Sequence, residues 1–117
     1  MPGNAPTLRY VVLHHTQIPH PHFDLMIETH AGSELATWRH AHWPPRAHEK
    51  FEAIAAHRRD YLEYEGPVSG DRGSVKRVAA GTATIVVEHA HELIARLDDW
   101  ELRLPRSGGD PAGEAGA

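Results

Sequence analysis

The chain has 117 residues, no cysteine and a formal net charge of −4. This length suits one domain with a single hydrophobic core, and the absence of thiols excludes disulfides, thiolate metal ligands and cysteine nucleophiles. The negative charge argues against a broad basic surface for nucleic acid, so any contact with nucleic acid is expected to be local.

Both ends of the chain are rich in glycine, proline and alanine. Segments of this composition do not bury enough apolar surface to fold, so residues 1–7 and 106–117 are predicted to be disordered around a domain at residues 8–105. No stretch approaches the roughly 20 apolar residues of a membrane span, and the first residues lack the basic and apolar parts of a signal peptide. We therefore expect a cytoplasmic monomer that makes no contact with a membrane.

Apolar residues recur with a period of two in several short runs, which is typical of half-buried β-strands. The run at residues 22–28 alternates most cleanly, because Phe23, Leu25 and Ile27 fall on one face and the intervening residues fall on the other. The predicted strands are residues 8–15, 22–28, 34–38, 82–88, 92–97 and 100–104. Turn-forming residues separate them at positions 31–33, 70–73, 89–91 and 98–99.

Residues 47–59 are alanine-rich with interleaved charged residues, and this composition favours a helix locally. Elsewhere, many short strands at close spacing indicate a mainly β protein, built as an antiparallel barrel or sandwich. We expect a small, closed antiparallel β-barrel with one or two short flanking helices.

Two residues that commonly bind metals share one face of the predicted strand at residues 22–28. Period-2 geometry places His22 and Asp24 about 7 Å apart on the face opposite the apolar one. The preceding strand ends in His14 and His15, and a short connection returns the chain beside it. A site formed by His15, His22 and Asp24 suits zinc, manganese or iron. The alternative is chance, because the chain contains 11 histidines and an exposed sheet face carries such residues without any metal.

A second cluster of polar residues follows the alanine-rich segment and contains His57, Arg58, Arg59 and Tyr61. Imidazolium and guanidinium groups bind phosphate dianions, and a phenol donates to a transferred oxygen. The alternative is a basic turn that leads into the glycine-containing loop at residues 66–73. From these residues alone, the basic turn is the preferred interpretation.

Four motifs between residues 10 and 81 match one known family. An aromatic-Val-Val strand that ends in a metal-binding histidine matches residues 10–15, and a His-aromatic-Asp pair matches residues 22–24. A tryptophan that follows matches Trp38. The strongest match is a His-x-x-Asp-Tyr-x-x-aromatic-Glu-Gly block, formed here by His57, Asp60, Tyr61, Tyr64, Glu65 and Gly66. Together these motifs resemble the 3′-phosphoesterase domain of bacterial DNA ligase D, which also occurs as a free-standing protein.

The resemblance implies a small β-barrel with flanking helices that hydrolyses phosphate at the 3′ end of DNA or of an RNA–DNA primer during DNA repair, beside a separate ligase or polymerase. It implies that His15, His22 and Asp24 bind Mn²⁺, with Zn²⁺ and Co²⁺ as other divalent ions for the same ligands. It assigns His57 and Tyr61 to the phosphate as catalytic residues. It also implies that residues 51–57 form a strand against their helical propensity, and we follow the resemblance there.

The chain departs from the family at the residue two positions after the metal-binding aspartate. The family has a phosphate-binding arginine there, whereas this chain has Met26. Losing one such contact costs roughly 2–4 kcal/mol of transition-state stabilisation, so weak activity or a different phosphoester is expected. Because position 26 shares a strand face with His22 and Asp24, Met26→Arg is expected to raise activity. The candidates to replace the lost cation are Arg39, Arg58, Arg59 and Arg72.

Two other functions remain open. A protein that kept the fold and the metal site but lost turnover would bind DNA ends or nucleotides, and Met26 favours this alternative. A histidine, an aspartate two residues later and a distant histidine also match the triad of non-haem Fe(II) oxygenases. Such barrels usually need more strands than this short chain supplies, so the iron enzyme is the less favoured alternative.

Overall fold

The computed structural model describes residues 7–106, which form one antiparallel sheet. Its strands are β1 (Leu8–Thr16), β2 (His22–Glu28), β3 (Leu35–His40), β4 (Glu52–His57), β5 (Gly66–Pro67), β6 (Ser74–Glu88), β7 (Glu92–Leu97) and β8 (Trp100–Pro105). One 3₁₀-helix, η1 (Arg59–Leu62), lies between β4 and β5. Apart from Thr7 and Arg106, the two segments predicted to be disordered lie outside the described residues.

The strands pair in the order β4-β3-β2-β1-β6-β7-β8, and the short β5 adds to β6. The sheet is strongly curled and forms a half-barrel, so the predicted mainly β, antiparallel fold is confirmed. The barrel is open, however, because the edge strands β4 and β8 touch without pairing. β8 ends at Pro105, which has no backbone N–H to donate to a neighbour. The indole N–H of Trp38 on β3 instead donates to the Pro105 carbonyl across this seam.

A hydrophobic cluster covers each face of the sheet, because alternate residues of β1 and β2 point to opposite sides. The larger cluster includes Tyr10, Val12, Leu25, Ile27, Trp38 and the buried leucines of β7 and β8. The smaller cluster lies on the face that carries His22 and Asp24, and contains Val11, Leu13, Met26, Leu35, Leu62 and Val75. The face of the sheet that the sequence predicted to be polar is therefore partly covered by apolar side chains.

An ion pair between the exposed Arg59 and the buried Glu28 carboxylate holds η1 over the smaller cluster. The guanidinium of Arg59 lies 2.6 Å from a carboxylate oxygen of Glu28 on β2 and donates to the Ser33 carbonyl at 2.8 Å. The other oxygen of Glu28 accepts the backbone N–H of Arg9 at 2.7 Å. These contacts fix η1, which supplies Leu62 to the cluster, against the centre of the sheet.

The alanine-rich segment shows tertiary structure overriding local propensity. Residues 52–57 pair with β3 as the strand β4, as the family resemblance implied. β6 begins eight residues before the strand predicted at residue 82. Its first half contains Lys76 and Arg77 and exposes most of its side chains, so its apolar alternation is weak. Within residues 7–106, no helix has the length and apolar character needed to cross a membrane.

Candidate metal centre

The hairpin of β1 and β2 brings His15, His22 and Asp24 together on one face of the sheet. His15 pairs directly with His22, and Leu13 pairs with Asp24, so strand alternation points all three polar side chains to the same side. One potential ligand atom from each residue lies within 4.8 Å of the others. His14, one residue earlier than His15, points to the opposite face and stacks on Phe23 with ring centroids 4.4 Å apart.

Backbone carbonyls orient the two imidazole rings of the triad. The Nε2–H of His15 donates to the Arg72 carbonyl at 2.7 Å, and the Nδ1–H of His22 donates to the His20 carbonyl at 2.9 Å. The remaining ring nitrogens, His15 Nδ1 and His22 Nε2, lie 3.9 and 3.4 Å from Asp24 Oδ2. Carbonyl contacts of this kind fix the tautomer of a metal-binding histidine and leave its other nitrogen free for the ion.

The unpaired polar atoms of the triad fit a divalent cation. His22 Nε2 and Asp24 Oδ1 are buried and have no hydrogen-bond partner within residues 7–106, and Asp24 is only 4% exposed. A ring nitrogen lone pair and a carboxylate oxygen are both hydrogen-bond acceptors, so burying them face to face is unfavourable unless a proton or a cation lies between them. Two ligands about 2.1 Å from one tetrahedral ion are about 3.4 Å apart, compared with 3.4 Å from Asp24 Oδ2 to His22 Nε2 and 3.9 Å to His15 Nδ1. The donor set of two imidazoles and one carboxylate suits Mn²⁺, Zn²⁺, Co²⁺ and iron.

A cavity of about 630 Å³ opens beside the triad. Its apolar rim comes from the β1–β2 connection, and its cationic wall comes from β3 and the segment before β4. The lining residues are His15, Ile18, Pro19, His20, Pro21, His22, Arg39, His40, Ala41, Lys50 and Glu52. Among the four candidate arginines, Arg39 alone lines this cavity.

The four candidate arginines have different surroundings. Arg39 pairs across the sheet with Asp24, and its Nε lies 3.7 Å from Asp24 Oδ1. Arg59 is engaged by Glu28, as described above. The guanidinium of Arg72 donates to the carbonyl and hydroxyl of Ser69, although its own carbonyl contacts His15. Arg58 lines a separate cavity beside Tyr61 and Tyr64.

The structure does not bring His57 and Tyr61 into the cavity beside the triad. His57 pairs with Leu35, four residues along β3 from Arg39, which corresponds to about 13 Å of strand. Its Nδ1–H is shared between Thr37 Oγ1 at 3.0 Å and the Ala55 carbonyl at 2.9 Å. Tyr61 packs against the smaller hydrophobic cluster and meets the His57 ring edge-on at 5.6 Å. Both residues lie toward the other end of the triad's sheet face.

Sequence reasoning missed three residues of the cavity wall, namely His40, Lys50 and Glu52. Lys50 and Glu52 belong to no recognisable sequence motif. Only the pairing of Arg39 with Glu52 between β3 and β4 shows that they lie at the cavity. His40 is buried, its Nδ1–H donates to the His42 carbonyl, and its Nε2 has no partner within residues 7–106. Burial lowers the pKa of His40, although its contact with the His42 carbonyl and the charges of Glu49 and Asp24 oppose that effect. His40 pairs with Phe23 and stacks on its ring, so strand alternation directs its imidazole to the face opposite the triad.

The fold and the site define a class: an open antiparallel β half-barrel with a two-histidine, one-aspartate cluster beside a partly cationic cavity. No protein-family model matches the chain, and no curated protein matches it.

Proposed function

We propose that this protein is a metal-dependent phosphoesterase that acts on the 3′ ends of nucleic acid. The observation that carries the proposal is the convergence of His15, His22 and Asp24 beside a cavity that also contains Arg39 and Lys50. Metal ligands beside uncommitted cations suit an anionic substrate, and phosphate esters are the anions that such a combination hydrolyses. The motifs shared with the 3′-phosphoesterase domain support the same substrate.

The chain's own residues would prepare the site for this chemistry. His15 and His22 would each present one ring nitrogen to the ion, since a carbonyl holds the other nitrogen. Asp24 would supply the negative charge that neutralises part of the ion's field. A divalent ion held there supplies a Lewis acid for a phosphate oxygen and lowers the pKa of a water molecule. The apolar rim at Ile18, Pro19 and Pro21 would exclude bulk water from one side of the substrate.

His57 and Tyr61 belong to the proposal only through the family resemblance. His57 lies on the triad's face of the sheet with its ring turned toward Thr37, but it does not line the cavity. If His57 protonates the leaving group, His57→Ala lowers turnover by about 10²–10⁴-fold and leaves metal affinity unchanged. An unchanged turnover assigns His57 to packing.

A single-turnover assay with a 3′-phosphorylated DNA primer tests the proposed function. We expect wild-type protein loaded with Mn²⁺ to release phosphate, and the chelated protein to release none. Asp24→Asn should abolish both Mn²⁺ binding and hydrolysis, because the triad loses its only charged ligand. Asp99→Asn, an exposed aspartate in the β7–β8 turn, is the matched control and should behave as wild type.

Metal binding without hydrolysis would instead support a non-catalytic DNA-end or nucleotide-binding module. The position of His57 and Tyr61 outside the cavity favours that second candidate, because no residue assigned to acid or base catalysis then contacts the phosphate. Binding of the 3′-phosphate primer to the Mn²⁺-loaded protein distinguishes this module from a protein with no role at phosphate ends. Absence of both hydrolysis and primer binding would contradict the proposal.

A further inference from the structure

Arg39 occupies a distinctive position at the rim of the metal centre. It is the direct cross-strand partner of Asp24, and its side chain is 45% exposed in the cavity lined by His15 and His22. Long side chains directly opposite each other on neighbouring strands share one face of the sheet. A molecule that occupies the cavity beside the triad therefore lies within reach of the Arg39 guanidinium.

The guanidinium of Arg39 has no hydrogen-bond acceptor among residues 7–106. Its nearest carboxylate atom, Asp24 Oδ1, is 3.7 Å from Nε, which is too long for a hydrogen bond, and this oxygen has no other partner. Arg59 and Arg72, by contrast, donate to neighbouring oxygens at 2.8 and 2.7 Å. Arginine beside a carboxylate normally forms a short, often bidentate pair, so the N–H groups of Arg39 are available to an anion.

The net charge of the side chains at the site also indicates which charge of anion would bind best. Asp24 and Glu52 are balanced by Arg39 and Lys50 when the histidines are neutral. The two positive charges of a divalent ion are then left for the ligand. A phosphomonoester carries between about −1.5 and −2 charges at pH 7, whereas a phosphodiester carries only one. The charge balance thus favours a terminal phosphate over an internal phosphodiester.

We propose that Arg39 is the residue that binds the phosphoryl group, and that the site prefers a phosphomonoester dianion to a phosphodiester. This inference rests on the proposed function, because it assumes that a divalent ion occupies the triad. The planar fork of Arg39 would hold two phosphoryl oxygens, beside an ion that His15, His22 and Asp24 would hold. Arg39 is therefore a substrate-binding residue and is not a metal ligand.

Calorimetric titration with inorganic phosphate tests the inference without measuring turnover. We expect Mn²⁺-loaded wild-type protein to bind phosphate, and Arg39→Gln to weaken that binding by about 10–100-fold, as for loss of charge-assisted hydrogen bonds. Arg39→Lys should fall between them, because it keeps the charge and loses the fork. Mn²⁺ affinity should stay within about threefold of wild type in both variants. The matched control is Arg103→Gln, an exposed β8 arginine paired with Glu92.

The outcomes separate this inference from the proposed function. If wild type and Arg39→Gln bind phosphate equally well, the role of Arg39 is overturned while the metal-dependent activity stands. If Mn²⁺ affinity falls together with phosphate affinity, Arg39 supports the triad and the inference is overturned. Equal affinity for phosphate and for monoanionic diethyl phosphate would overturn the preference for a monoester. If Mn²⁺-loaded wild type neither binds phosphate nor releases it from a primer, the proposed function itself fails.

Discussion

Met26 marks the limit of strand alternation as a guide to individual residues. Alternation correctly places Met26 on the same face as His22 and Asp24. It does not reveal that a second hydrophobic cluster covers this face two residues beyond Asp24. Met26 is only 2% exposed and packs in that cluster with Leu13 and Leu35. Position 26 therefore belongs to the core of this protein.

The expectation that Met26→Arg would raise activity therefore changes. A guanidinium at this position would place a charge inside the apolar cluster, which should cost at least about 3 kcal/mol of stability. Met26→Leu nearly conserves the volume and should cost less than about 1.5 kcal/mol. Urea unfolding followed by circular dichroism compares the two variants. If Met26→Arg is as stable as wild type, or hydrolyses the primer faster, the cluster must rearrange to accommodate the arginine, and the core assignment of position 26 would be wrong.

The β5–β6 loop contacts the His-His-Asp triad through the Arg72 carbonyl. Gly73 follows Arg72 and has a φ of +80°, and a Cβ on it would lie 2.3 Å from the Thr16 carbonyl oxygen. The loop and the end of β1 approach this closely only because Gly73 has no side chain. The close approach places the Arg72 carbonyl within 2.7 Å of His15 Nε2.

Gly73→Ala should therefore weaken metal binding as well as the fold. We expect about 10-fold or greater loss of Mn²⁺ affinity, the usual effect of disturbing a group that orients a ligand. The matched control is Gly32→Ala, where φ is +79° but no atom lies within 4 Å of the added Cβ. That variant bears a similar backbone cost, about 1 kcal/mol or more, and should bind Mn²⁺ as wild type does. Equal Mn²⁺ affinities in the two variants, measured by titration calorimetry, would contradict the role of the loop.

The β3–β4 connection is held by one buried carboxylate. Glu49 accepts the backbone N–H groups of Ala41, His42 and Arg46 at 3.0 Å, and its side chain also contacts His42 Nδ1 at 3.0 Å. Burial alone raises the pKa of Glu49, but these hydrogen bonds outweigh it and lower the pKa to about 2. The connection includes Ala41 and Lys50, which line the cavity, so Glu49 also fixes part of the site wall.

This carboxylate should give the connection a specific sensitivity to acid. Because the folded-state pKa of about 2 lies below the unfolded value of 4.5, the stabilisation is complete above about pH 4.5 and is lost as the pH falls toward 2. The contribution is on the order of 3 kcal/mol. Thermal unfolding at pH 6 and pH 3 should show a smaller acid-induced loss in Glu49→Gln than in wild type. Glu101→Gln, an exposed pair with Arg96, should follow wild type, and parallel curves for all three proteins would refute the assignment.

For the molecule as a whole, the sequence predicts the positions of the strands better than it predicts whether the sheet closes into a barrel. Clean alternation located β2 and β7 at their observed bounds, and the same alternation predicted the convergence of His15, His22 and Asp24. Whether β4 pairs with β8 depends on the total curl of seven consecutive strands, which no local pattern encodes. Which of the four candidate arginines lies beside the triad was likewise hidden, because it depends on the register between β2 and β3.

The placement of the three ligands on one hairpin has a consequence for folding. Residues 15 to 24 contain the whole triad, so assembling it closes a loop of a few residues at little cost in chain entropy. Such short-range contacts persist in denatured ensembles more readily than the long-range pairing of β1 with β6. An ion that binds this hairpin in the unfolded chain stabilises both states. Metal loading should then raise the free energy of unfolding by less than the value calculated from the metal affinity of the native site alone.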